Sequence, residues 1–74
     1  MIIIPLTEGE KRIARMMDVD VVADNWRGFI HAEDSRMCRK LANRIDILTP
    51  DNECIARPYK SLMRKLAIAA YVMI

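Results

Sequence analysis

Only two glycines are present, Gly9 and Gly28, so no glycine-rich loop can be built to cradle a phosphate. The one histidine, His31, is followed by Glu33 and Asp34. His-x-Glu spacing occurs in zinc deaminases, but the Pro-Cys-x-x-Cys half of that signature is absent. A closed zinc site takes four ligands, and His31, Cys38 and Cys54 supply three at most. His31 is read instead as a residue of a polar loop. The two cysteines lack Cys-x-x-Cys spacing, and no signal-peptide pattern precedes them. Both are expected to be reduced thiols of a cytoplasmic protein. Ser35 and Ser61 fall at a helix start and on a helix face, without a glycine elbow or an orienting base. The expectation is a non-enzyme with no catalytic residue, no metal and no cofactor. The longest apolar stretch, residues 66–74, is nine residues where a membrane span needs about twenty.

What remains is enough for one domain, residues 1–74. A chain of this size buries only roughly 60% of the surface its unfolded form exposes, so its core is marginal unless something assists it. With one disulfide at most and no metal, association with another chain is the expected aid. Apolar residues make up 53% of the sequence, which suits a globular protein and excludes a disordered one. The net charge of +2 excludes a polyelectrolyte that coats nucleic acid or an acidic membrane by charge alone. The charges are unevenly placed. Glu8, Glu10, Asp18, Asp20, Asp24, Glu33 and Asp34 crowd the first half, whereas from Ser35 onward eight Lys or Arg face three acids.

The β-branched opening Ile2-Ile3-Ile4 ahead of Pro5 reads as a short edge strand or an apolar arm, because proline cannot sit in a central strand. Thr7 and Glu10 form a capping-box pattern that starts a helix. Ile13, Ala14, Met16 and Met17 then share its inner face, and the helix breaks near Asp18. Val19, Val22, Ala23 and Trp26 recur at helical spacing before Gly28, which predicts a second short helix over 19–27. The Val-Asp-Val-Val run also permits a strand. Residues 35–46 give the clearest pattern. Met37, Cys38, Leu41, Ala42 and Ile45 fill one half of the helical wheel, and Arg36, Arg39, Lys40, Asn43, Arg44 and Asp46 fill the other. Thr49-Pro50-Asp51-Asn52 fits a turn, predicting a small β-hairpin over 45–57, while Thr49 equally fits the cap of a one-turn helix with Pro50 in its first position. Pro58 then opens a last helix with Tyr59, Leu62, Met63, Leu66, Ala69, Ala70 and Met73 on its inner face. The fold class expected is mainly α, with three to four short helices, that hairpin and the N-terminal edge strand. Trp26 fits either a core or an interface, and the six methionines are read mainly as core.

Two surfaces carry the functional expectation. Arg36, Lys40 and Arg44 form an i, i+4 ladder with Arg39 at its edge, and like charges so stacked repel mildly. They are read as a docking face for an acidic protein surface. The last helical turns are apolar all round, so Leu66, Ile68, Tyr71 and Val72 are read as self-association residues of a homo-oligomer. Together these predict a small regulator that binds and modulates, by inhibition, a larger protein through stoichiometric contact. Phages and mobile elements encode many small regulators of this kind. The alternative is a dimeric DNA-binding transcriptional regulator, since the expected element order resembles the general layout of a winged helix. The sequence departs from that layout in the long segment 28–34, in the acids Glu33 and Asp34 at the helix end that would meet phosphates, and in showing no strand between the first two helices.

Overall fold

The computed structural model describes residues 1–24 and 26–72, with the side chain of Val72 excepted. Six elements follow one another: β1 (Ile2–Leu6), α1 (Glu8–Met16), β2 (Val22–Asp24), β3 (Arg27–Ala32), α2 (Ser35–Ile45) and α3 (Glu53–Val72). The three strands form one antiparallel sheet in the order β1-β3-β2. β1 and β2 therefore run parallel on either side of β3. This is a split β-α-β arrangement, continued by two helices.

Local chemistry explains each start and stop. Thr7 is extended at φ −77°, ψ 170°, and its hydroxyl accepts from the Glu10 amide at 3.2 Å. Glu10 Oε1 in return accepts from the Thr7 amide at 2.8 Å, which completes the capping box. α1 ends in a Schellman motif. Asp18 takes φ 57°, the Val19 amide donates to the Ala14 carbonyl at 2.8 Å, and the Asp18 amide donates to that of Arg15 at 3.2 Å. Aspartate replaces the usual glycine there, and Val19 is buried immediately after it. The predicted break near Asp18 is thus a left-handed cap.

The helix expected over 19–27 is instead the approach to a hairpin. Val22–Asp24 pairs with Arg27–Phe29, and β3 continues to pair with all of β1. A period of two governs β3: Gly28, Ile30 and Ala32 point into the core, while Arg27 and His31 are exposed. Trp26 lies exposed at the hairpin, and His31 belongs to this strand, not to a loop. Gly28 is no helix stop. A Cβ there would lie 2.2 Å from Lys11 Cδ, so glycine makes room for the Lys11 side chain to cross the sheet.

The hairpin expected over 45–57 is absent. Residues 46–52 form an irregular connection, and Asn52 starts α3, its Oδ1 accepting from the Ile55 amide at 3.1 Å. α3 therefore begins five residues before Pro58, which sits inside the helix. The proline is accommodated by Gly9 of α1, where a Cβ would come within 2.9 Å of Pro58 Cβ. With its hairpin before the basic helix, the chain does not have the winged-helix order.

All three helices pack on one face of the sheet. Ile4, Ile30 and Ala32 meet Ile13 and Ala14 of α1, Cys38 and Ile45 of α2, and Leu62, Leu66 and Ala70 of α3 in one core. None of the described methionines belongs to that buried set. Met17 and Met63 pack against its margin, while Met1, Met16 and Met37 are exposed.

One carboxylate is wholly buried in this apolar interior. Glu10 Oε2 accepts from Ser61 Oγ at 2.6 Å, and Oε1 accepts from Lys65 Nζ at 2.7 Å besides the Thr7 amide. Burial alone pushes the Glu10 pKa up, but the bonds from Lys65, Ser61 and Thr7 prevail and hold it below the ordinary carboxylate value. α1, α3 and, through the Lys65 bond to the Pro5 carbonyl at 2.8 Å, β1 are pinned at this point.

Candidate protein-binding surface

α2 is set by its cap and its inner face. Asp34 is extended, and its Oδ1 accepts from the Met37 amide at 2.9 Å. Cys38 and Ile45 are fully buried, Leu41 and Ala42 are half-buried, and this anchoring turns the rest of the helix to solvent. Burial and the nearby Asp34 push the Cys38 thiol pKa up, so it is an unreactive core thiol, whereas Cys54 is an exposed free thiol.

Arg36, Arg39, Lys40 and Arg44 are all exposed, as the wheel requires. At helical rise, the ladder from Arg36 to Arg44 spans about 12 Å. Its members are not equivalent. Arg44 Nη1 donates to the Asp18 carbonyl at 3.3 Å, holding the left-handed turn at the end of α1. Arg36, Arg39 and Lys40 make no ion pair or side-chain hydrogen bond among the described residues. Their three charges remain available on one convex surface.

The ladder is bounded by acids. A cleft of about 310 Å³ lies between α2, β3 and the end of α1, lined by Asp18, Asp20, His31 and Glu33 together with Met37 and Arg44. An anionic polymer laid along α2 would meet Glu33 and the Asp34 cap at its N-terminal end. A folded partner with a confined acidic patch would not. Met37, expected on the inner face, is partly exposed at this cleft and adds an adaptable apolar contact beside the cations.

A second basic row runs along α3. Arg57, Lys60 and Arg64 are exposed, with Arg57 in a weak pair to Glu53 at 3.7 Å. Among the described residues, no three His, Cys, Asp or Glu side chains gather where they could hold a metal ion. No helix among the described residues is long and apolar enough to cross a membrane.

The self-association residues divide. Leu66 is completely buried in the core and cannot form an interface, because the inner face of α3 extends past it to Ala70. Ile68 and Tyr71 are exposed, at 55% and 79%. The Val72 side chain and Met73 lie outside the described residues. No protein-family model matches this chain, and no curated protein or solved structure shows significant similarity to it.

Proposed function

We propose that this protein is a small, non-enzymatic cytoplasmic regulator that binds a larger protein at an acidic patch and inhibits it by stoichiometric contact. The outward face of α2 is the docking surface, with Arg36, Arg39 and Lys40 as its contacts and Arg44 shared with the fold. A homo-oligomer formed through the exposed apolar residues Ile68 and Tyr71 completes the reading. The observation that carries it is the set of three adjacent exposed cations without ion-pair or hydrogen-bond partners among the described residues, beside a partly exposed methionine. The acids at the N-terminal end of α2 favour a protein over a nucleic acid, since phosphates would be repelled there. The test is a pull-down from the source cell with nuclease treatment in parallel, repeated with Arg36, Arg39 and Lys40 changed to alanine. A partner protein retained after nuclease and lost from the alanine variant is expected. A partner lost on nuclease treatment, or nanomolar sequence-selective duplex binding at physiological salt, would overturn the proposal in favour of a DNA-binding regulator.

A further inference from the structure

β1 is an edge strand, and the register shows which of its backbone groups face outward. Two positions separate β2 from β3, so Asp24 and Arg27 form the hydrogen-bonded closing pair of the hairpin. The alternation of an antiparallel ladder makes Val22–Phe29 the next such pair. Phe29 thus uses its amide and carbonyl on β2, and its pairing with Pro5 of β1 is of the other, non-hydrogen-bonded kind. Two independent facts agree. Pro5 has no amide hydrogen to give, and its carbonyl accepts from Lys65 Nζ of α3. Ile3, opposite His31, stands in the same phase as Pro5, so both its N–H and its C=O face the open edge. The edge therefore offers one complete donor–acceptor pair, at Ile3. Next to it is a position with no donor and an already occupied carbonyl.

A groove of about 370 Å³ runs along this edge, lined by Ile2, Ile3, Pro5, Ile68, Ala69 and the stem of Lys65. Ile3 is 56% and Ile68 55% exposed, and Tyr71 follows Ile68 on the same stretch of helix. An extended segment that fits must supply one residue able to donate and accept opposite Ile3. It must ask for no amide donor two residues away, and it must bring apolar side chains to the groove. β1 itself meets all three demands.

We propose that β1 pairs antiparallel with β1 of a second copy of this chain, Ile3 opposite Ile3, joining two three-stranded sheets into one of six strands. Under the two-fold axis each Ile3 amide donates to the other's carbonyl, and Ile2 lies opposite the second copy's Ile4. Met1, outside the strand, falls opposite the second copy's Pro5, so the missing proline donor is asked for only where the chain faces water. The apolar groove closes over the paired edges. This inference rests on the self-association in the reading above and involves no residue of α2.

The test is sedimentation of the full chain over a dilution series, with amide hydrogen exchange read at Ile3. At about 100 μM a dimer of twice the 8.6 kDa chain mass is expected. Ile3→Pro removes the outward amide without touching the β1–β3 ladder. It should raise the dimer dissociation constant about tenfold or more with an unchanged circular dichroism spectrum. In the unsubstituted chain, exchange at the Ile3 amide should slow as concentration rises through the dimer transition. A dimer that survives Ile3→Pro but is lost on Ile68→Asp overturns the strand pairing and leaves association through α3 standing. A monomer at every concentration overturns both. Should Ile3→Pro fail to fold, an Ile3 exchange rate independent of concentration overturns the pairing on its own.

Discussion

Replacing Lys65 with methionine isolates the one fully buried charged side chain among the described residues, Glu10. Methionine keeps the length and apolar stem of lysine and removes only the ammonium group. Glu10, with no exposed surface, then retains the Ser61 hydroxyl and the Thr7 amide but loses its cation. Leaving a buried carboxylate without its cation costs about 3–5 kcal/mol. The chain has a way to limit that cost, which is to protonate Glu10. Starting from an ordinary value of 4.5, taking up that proton costs about 3 kcal/mol at pH 7 and under about 1 kcal/mol at pH 5. Loss of the Lys65 bond to the Pro5 carbonyl adds about 1 kcal/mol that does not depend on pH. The signs of the two pH dependences oppose each other. In the unsubstituted protein the folded pKa of Glu10 is depressed, so its contribution is present above pH 4.5 and is lost as pH falls through the folded value. In Lys65→Met the folded pKa is raised, so stability falls as pH rises above 4.5. Urea unfolding between pH 4 and pH 8 reads this directly. The two stability curves should converge toward pH 4.5 and diverge by about 3–4 kcal/mol at pH 7, a large part of the total stability of a chain this small. Parallel curves with a constant offset would show that Glu10 is not held as a buried anion and would refute the reasoning.

Three further outcomes follow from single contacts. Gly9→Ala should lower stability by about 1 kcal/mol in thermal or urea unfolding, because the Pro58 ring leaves no room for a Cβ. Stabilisation by about 1 kcal/mol, as helix propensity alone requires, would refute the close approach. Asn52→Ala should cost about 1 kcal/mol by removing the cap on the Ile55 amide, and an unchanged urea midpoint would place the start of α3 elsewhere. Within the basic ladder, Arg44→Ala should cost up to about 1 kcal/mol through its bond to the Asp18 carbonyl. Arg36→Ala, Arg39→Ala and Lys40→Ala should each stay within about 0.5 kcal/mol of the unsubstituted protein, and equal losses at all four would deny the division of roles.

The parts of this fold legible in the sequence are those whose signal is local. Thr7 and Glu10 are three residues apart and announce α1 by a reciprocal bond. Asp34 and the apolar stripe from Cys38 to Ile45 announce α2 and thereby its basic face. The hairpin of β2 and β3 was not legible, because Val19, Val22, Ala23 and Trp26 satisfy a helical spacing as well as a strand. The choice between them is made by β1, whose partner β3 must become. The start of α3 was misplaced for a related reason. Pro58 favours a first helical turn, but the chain tolerates it deeper in the helix because Gly9, 49 positions away, receives its ring. Glu10 looked like a cap and no more. Its burial depends on Ser61 and Lys65, which lie 51 and 55 residues along the chain.

Lys65 links the interior to the edge. Its ammonium group bonds at once to the buried Glu10 carboxylate and to the carbonyl of Pro5 on the open strand. An exposed strand of three consecutive isoleucines is ordinarily a template for indiscriminate pairing. Here Pro5 withholds a donor, Lys65 occupies the matching acceptor, and the even-numbered residues are committed to β3. The usable edge shrinks to Ile3, a length too short to seed a growing sheet but long enough to fix a register when the same edge of another copy meets it. Lysine is suited to this place for a physical reason. Its flexible stem adds to the wall of the groove while its charge is anchored by the buried Glu10 carboxylate. The pair that secures α1 to α3 thereby also decides how much of β1 is offered to a partner.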